Sequence, residues 1–374
     1  MFKKEEDLFE KDNFDSMGLS DNKRRRWRII QFYCIGWTLA FVFLSIVRGI
    51  GTEELGKLKF DFVSSLYIAF TIGPLMGLVS GAAQILTEER IYKRISIRKL
   101  LLIRFLFTIL FTLALVVFAY GAYQLYFGTS LDIFSFAMDK GSGAIYFYVF
   151  SVDLMLSVLR QVNLMLGEGN LYKLFLGKFY TPNEEKRVFM FLDLQSSTEL
   201  AERLGHIKYS MLVQDCFNDL GTAIPDKAQI YQYVGDEAVL TWEFNEGIKD
   251  QNCLKAFYSF KKLIAEKEQF YLNNYGCVPF FKAGVHNGIV TVTEVGKYKK
   301  EIAYHGDTIN TAARIQGKCN ELGSELLLSE SLKEELNSTE YHFQTMGDIP
   351  LKGKKGKVAI YAVKTMEKQP HAIA

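Results

Sequence analysis

Cysteine is scarce and scattered in this chain. Its 374 residues include five cysteines, Cys34, Cys216, Cys253, Cys277 and Cys319, with no CxxC pair. An odd count at wide spacing argues against a disulfide framework or a cysteine zinc site and fits reduced thiols in a cytosolic setting. Net charge is also nearly absent, at +2, so no global field directs the chain to nucleic acid. Histidines paired at helical spacing, which would mark a cofactor-binding bundle, are missing from the apolar half. Residues 1–22 contain no apolar segment, which excludes a cleavable signal peptide; they read as a disordered cytosolic tail.

What the chain has in excess is apolar surface, 49% of residues with 14% aromatic, gathered in the first half. Four apolar stretches run at about 27–50, 62–86, 101–127 and 144–159. A spanning helix needs about 20 apolar residues. Three stretches meet that length, and the fourth needs its flanks and carries Asp153. Gly73-Pro74, Gly77 and Gly81 in the second stretch suit a kink or close helix packing. Basic residues Lys23 to Arg26 precede the first stretch, and Arg90, Lys93, Arg94, Arg98 and Lys99 lie between the second and third. By the positive-inside rule those segments are cytoplasmic. The expectation is an integral protein of the cytoplasmic membrane, a four-helix transmembrane domain at 23–160 in a lipid bilayer, with both the N-terminus and the second half in the cytosol. Residues 161–183 read as a juxtamembrane linker helix, interrupted at Gly167 and Gly169. An intramembrane acid such as Asp153 is by default a functional candidate.

The second half reads differently. Short β-like runs at 187–193, 228–234, 238–243, 279–286, 289–295, 325–328, 342–346 and 358–363 mix with helical stretches at 196–221, 250–273, 308–321 and 330–336. This pattern predicts one α/β domain with a mostly antiparallel sheet, at 184–366, followed by a tail at 367–374. Two of its runs end in an aspartate before a turn or helix: RVFMFLD, ending at Asp193, and IYQYVGD, ending at Asp236. Paired carboxylates at strand ends can hold hard cations on a triphosphate. Further on come GDTINTAAR, with Asn310 and Arg314, and LKGK, with Lys352. An amide, a guanidinium and an ammonium after two carboxylates point to metal-assisted chemistry at a phosphate. Glu237, next to Asp236, is expected on the opposite face of its strand and is left out of the set.

In these motifs, taken together and in order, the second half resembles the catalytic domain of class III nucleotidyl (adenylate/guanylate) cyclases, of the membrane-anchored bacterial type. The resemblance implies Asp193 and Asp236 as metal aspartates, with the backbone carbonyl of Leu194 as a further ligand, for two divalent cations, Mg or Mn. It implies Asn310 orienting the ribose, Arg314 on the α-phosphate and Lys352 on the terminal phosphates. It also implies a site shared between two domains. This chain carries each part once, so the expected active form is a symmetric homodimer. Purine choice in the family rests on two positions, here Gln232 and Ala303. Gln232 can donate to adenine or accept from guanine, and Ala303 offers no side-chain hydrogen bond. The glutamate typical of guanylate cyclases is absent, so ATP is the expected substrate and GTP the alternative. A diguanylate cyclase is disfavoured because that family lacks the Asn-x3-Arg helix and the late LKGK. A degenerate receptor is disfavoured because neither a metal aspartate nor the arginine is lost.

Overall fold

The computed structural model describes residues 2–49, 61–91, 97–127, 132–139, 142–167, 169–224, 227–337, 340–351 and 356–366. The chain divides into two compact units, 1–165 and 166–374. Each is described by itself.

The first unit is helical: α1 (Phe2–Gly49), α2 (Phe62–Leu86), α3 (Ile97–Phe127), the short α4 (Ile133–Ala137) and α5 (Ser142–Leu166). Four segments are long and apolar enough to cross a membrane, at 23–49, 62–89, 106–126 and 142–166. The fourth is longer than the sequence pattern suggested. The segment read as a disordered tail is instead part of α1, which starts at Phe2. No proline interrupts 2–22, and its Glu, Lys and Leu residues continue a helix at little cost.

The glycines of α2 let α1 approach closely. A Cβ on Gly77 would lie 2.3 Å from the Cα of Cys34, and one on Gly73 would lie 2.7 Å from the Cα of Thr38. This is small-residue packing of backbone against backbone. The buried seam of the unit includes Tyr33, Trp37, Met76, Phe111 and Val149.

Several buried polar side chains of this unit are paired, though Trp37 Nε1 and Ser157 Oγ are buried without a hydrogen-bond partner. Asp153 is buried and accepts a hydrogen bond from Ser80 at 2.8 Å. Past the end of α2 the chain makes a π-helical turn, Thr87–Ile91. There Glu88 takes a two-pronged ion pair from Arg160 of α5, at 2.9 and 3.0 Å, with both side chains 5% exposed. Gln84 donates to Glu88 at 2.9 Å, Tyr33 reaches Gln84 at 3.3 Å, and Arg25 stands 3.5 Å from Glu88. Three helices are thus tied together at one end of the bundle.

The second unit opens with α6 (Asn170–Phe175), so the linker is not one continuous helix. Gly167 and Gly169 take φ of 86° and 85°, a left-handed backbone that ends α5. Phe179 then packs with Phe189, Val290 and Tyr304, so the unit's core reaches ahead of residue 184.

Eight strands follow: β1 (Asn183–Leu194), β2 (Gln229–Val234), β3 (Glu237–Glu243), β4 (Phe281–Val295), β5 (Glu301–His305), β6 (Leu326–Ser329), β7 (Tyr341–Pro350) and β8 (Lys357–Thr365). The sheet order is β2-β3-β1-β4-β6-β8-β7, with β5 on β4. Every pairing is antiparallel except β4 with β6. The runs expected at 279–286 and 289–295 form a single strand, β4. The helices are α7 (Ser197–Ala223), α8 (Phe244–Ile248), α9 (Asn252–Glu266), α10 (Glu268–Tyr275), α11 (Asp307–Gln316) and α12 (Glu330–Lys333).

Alternation along β1 sets the layers. Val188, Met190 and Leu192 pack with Leu212, Leu220 and Phe257 from the α7 and α9 side. Phe189 and Phe191 face the other way and join Ala312 of α11.

The ion pair in the first unit generates a test. Arg160→Met leaves Glu88 buried without its main partner and is expected to cost about 3–5 kcal/mol. Thermal unfolding in detergent would read this as a lower midpoint. Removing both charges, with Glu88→Gln added, is expected to recover most of the loss. An unchanged midpoint for the single variant contradicts the pairing.

Candidate active site

Asp193 ends β1, and the register pairs it directly across from Glu237 at the start of β3. Directly opposed residues of an antiparallel pair share a face. Glu237 therefore faces with Asp193, not away from the carboxylates as strand alternation from Asp236 suggested. Asp236 lies in the β2–β3 turn, outside the ladder, so that alternation does not apply to it. Gly235 makes the turn with φ 64°.

The Asp193 and Glu237 carboxylates lie within electrostatic reach of Asp236. Burial first, then the charge of Asp236, raises the Asp193 pKa; a hydrogen bond from Gln316 opposes this. Burial, then Asp193 and Asp236, pushes Glu237 up to about 7. Burial and the Asp236 charge also raise the Tyr209 hydroxyl. Gln316 Nε2 donates to Asp193 Oδ2 at 3.2 Å.

Beside Asp193 opens a cleft of about 350 Å³ lined by Leu194, Gln195, Ser196, Ser197, Lys282 and Asn320, among others. It includes the first turn of α7, whose backbone N–H groups suit anionic oxygens. Ser196 takes a left-handed φ of 56° at this corner. Lys282 Nζ donates to Asn320 Oδ1 at 2.6 Å across the cleft.

The oxygen donors here, two aspartates and the Leu194 carbonyl, are of the kind that hard divalent cations take. Among the described residues no group of three or more acidic, histidine or cysteine side chains closes around one point. A cation held here would need further oxygens from a ligand.

α11 carries Asn310 and Arg314. Its sheet-facing side is Thr308, Thr311, Ala312 and Ile315, all buried. The helix lies tight on β4 because β4 has glycine beneath it: a Cβ on Gly284 would stand 2.1 Å from the backbone N of Gln316. Residues four apart share a helix face, and residues two apart are about 200° apart. Asn310 and Arg314 therefore point together, away from the side from which Gln316 reaches Asp193. Arg314 is an incompletely satisfied cation. Its Nη1 is buried with no hydrogen-bond partner, and stands 3.6 Å from Asp307 Oδ1.

Gln232 lies on β2 and Ala303 on β5. Their neighbours Tyr231 and Tyr304 meet edge to face, with centroids 5.0 Å apart, so the two strands approach although they are not sheet neighbours. Lys352 lies outside the described residues. The structure thus gathers Asp193, Leu194 and Asp236 at one corner and sets Asn310 with Arg314 on another face. Sequence reasoning missed Gln316, Lys282, Asn320 and Tyr209. Gln316 had one signal, its place two residues after Arg314 on a helix already identified; the others had none.

Residues 179–365 match the family model described as the adenylate and guanylate cyclase catalytic domain. The chain belongs to that family. It is 32% identical over 209 residues to "Adenylate cyclase 2" of Rhizobium meliloti (strain 1021), spanning 54% of this chain and 56% of that protein. It is 25% identical over 192 residues to "Adenylate cyclase" of Anabaena cylindrica, spanning 48% of this chain and 37% of that protein. Among solved structures, the adenylyl cyclase CyaB from P. aeruginosa aligns with a TM-score of 0.44 and 20% identity, over 50% of this chain and 98% of that one.

The α11 seat generates a prediction. Gly284→Ala forces a Cβ into the helix backbone, and overpacking of this kind costs about 1–3 kcal/mol. Chemical denaturation is expected to show that loss. Stability equal to the parent contradicts the close packing.

Proposed function

We propose that this chain is a membrane-anchored adenylate cyclase that converts ATP to cyclic AMP and pyrophosphate as a symmetric homodimer. The observation that carries the reading is the division along α11. Gln316 engages Asp193 of its own chain, while Asn310 and Arg314 face away from that corner. Arg314 has a buried nitrogen without a hydrogen bond and only a long, 3.6 Å ion pair to Asp307, which suits it to a closer anion. A second copy related by a twofold axis brings the carboxylates of one chain to the Asn-Arg face of the other, twice. The naming of the two relatives as adenylate cyclases favours ATP over GTP.

The residues divide the work as follows. Asp193, Asp236 and the Leu194 carbonyl would hold two divalent cations, Mg or Mn, which would supply acidity to the ribose 3′-hydroxyl and positive charge to the departing pyrophosphate. Asn310 orients the ribose so that its 3′-oxygen lies in line with the α-phosphate. Arg314 meets the charge that develops on that phosphate, and removing such a donor costs about 10²–10³ in rate. Lys352 holds the β- and γ-phosphates. Gln232 and Ala303 border the purine. The α7 N-terminus offers backbone N–H groups to the phosphates.

Four described helices of spanning length, with basic residues before the first and after the second, support a cytosolic cyclase unit, on the side where ATP is.

Asp236→Asn and Arg314→Ala are each expected to reduce cyclase activity at least about 100-fold. Mixing the two variants is expected to restore part of it, because a heterodimer holds one intact site. No recovery, with both proteins folded and dimeric, contradicts the shared site. Chelation of divalent cations with EDTA is expected to abolish cyclic AMP formation, and added Mn²⁺ to restore it. Activity that survives chelation contradicts the assignment of Asp193 and Asp236.

A further inference from the structure

The first unit has a partly open pocket of about 130 Å³ at the end of the bundle away from Leu166. Helices α1, α2, α3 and α5 supply its walls, and Phe136 of the short α4 joins them. Phe136 is 9% exposed and sits between Tyr120 and Tyr123, with ring centroids 5.6 and 5.5 Å away. Asp132 caps α4, accepting from the N–H of Ser135 at 3.3 Å. α4 is thus a short helix pinned over the cavity by one aromatic side chain.

The wall is chemically dry. Ile68, Ala69, Ile72 and Leu115 give it aliphatic surface. Four of its hydroxyls spend their hydrogens on nearby backbone. Ser45 donates to the carbonyl of Phe41 at 2.9 Å, Ser65 to Phe62 at 2.8 Å, Ser142 to Phe136 at 2.9 Å, and Tyr146 to Ala137 at 2.6 Å. Arg48 is the charged wall residue and is half-exposed. A buried water needs two to four polar partners, and an apolar cavity of about 150 Å³ stays dry and takes up benzene or xenon. Space of this size with this lining has no use for water.

We propose that this cavity is a binding site for a small, neutral, apolar molecule about the size of a benzene ring. The inference concerns the first unit alone and does not depend on the cyclase reading. Ala69 of α2 is 1% exposed and lines the cavity, so a larger side chain there fills it. Leu115 of α3 is 2% exposed and also lines it, so its truncation enlarges it.

The test uses the full chain in lipid nanodiscs with fluorobenzene as the probe, read by ¹⁹F NMR line width against protein-free nanodiscs. Wild type is expected to show saturable broadening that unlabelled benzene competes away. Ala69→Leu is expected to lose it. Leu115→Ala is expected to retain it and also to bind fluoroindole, which wild type excludes. Broadening no greater than in empty nanodiscs, as when an acyl chain already fills the space, overturns the proposal. So does saturable binding that Ala69→Leu leaves unchanged. Where Ala69→Leu fails to insert and fold, the gain of fluoroindole binding by Leu115→Ala decides, and its absence overturns the site.

Discussion

The negative charge gathered at the end of β1 is the constraint around which the cyclase unit is organised. Antiparallel pairing fixes Asp193 opposite Glu237, and the glycine turn at 235 adds Asp236. Burial of these carboxylates, and then their mutual repulsion, raises the affinity of Asp193 and Glu237 for protons. One amide, Gln316, partly answers that charge. A fold that concentrates oxygen donors and leaves them under-compensated is suited to cations and to a ligand that brings more oxygen.

The second constraint is helical phase. α11 has a buried side, against β4, and its closeness there depends on Gly284. With that side committed, Asn310 and Arg314 must face elsewhere. The arginine then has a buried nitrogen without a hydrogen bond, its same-chain ion pair to Asp307 standing at 3.6 Å. One helix therefore serves two corners. This is the physical argument for two copies acting together, and it arises from the 3.6-residue repeat, not from any contact between subunits. The first unit has its own logic of close approach and paired charge. Glycines bring α1 and α2 together, and the Glu88–Arg160 pair ties α2 to α5 just before the chain leaves for the second unit.

Most of the architecture was readable from residue patterns. The alternating runs marked seven of the eight strand positions, though two runs proved to be the single strand β4. Its Asn287-Gly288 step looked like a break in the pattern, but Asn287 and Gly288 pair with Val188 and Arg187 without interruption. β5 was missed because five residues offer little periodicity. Asp193, Asp236, Asn310 and Arg314 were singled out because each sits in a short motif, and the structure sets the first two at one corner and the last two on α11. Glu237 was misjudged because its facing is set by a partner strand, which spacing along one strand does not reveal. Gln316, Lys282 and Asn320 were hidden because tertiary packing alone brings them to the cleft. The linker was read as a helix interrupted at Gly167 and Gly169, and left-handed backbone at those two glycines separates α5, ending at Leu166, from α6.

The most direct measurement supplies ATP and GTP separately to the full-length protein in membranes with Mn²⁺ and quantifies both cyclic products. The account predicts cyclic AMP from ATP, far in excess of cyclic GMP from GTP. Cyclic GMP as the main product would keep the phosphoryl chemistry but contradict the assignment of Gln232 and Ala303 to adenine. Neither product, from protein shown to be folded and dimeric, would contradict the account at its centre.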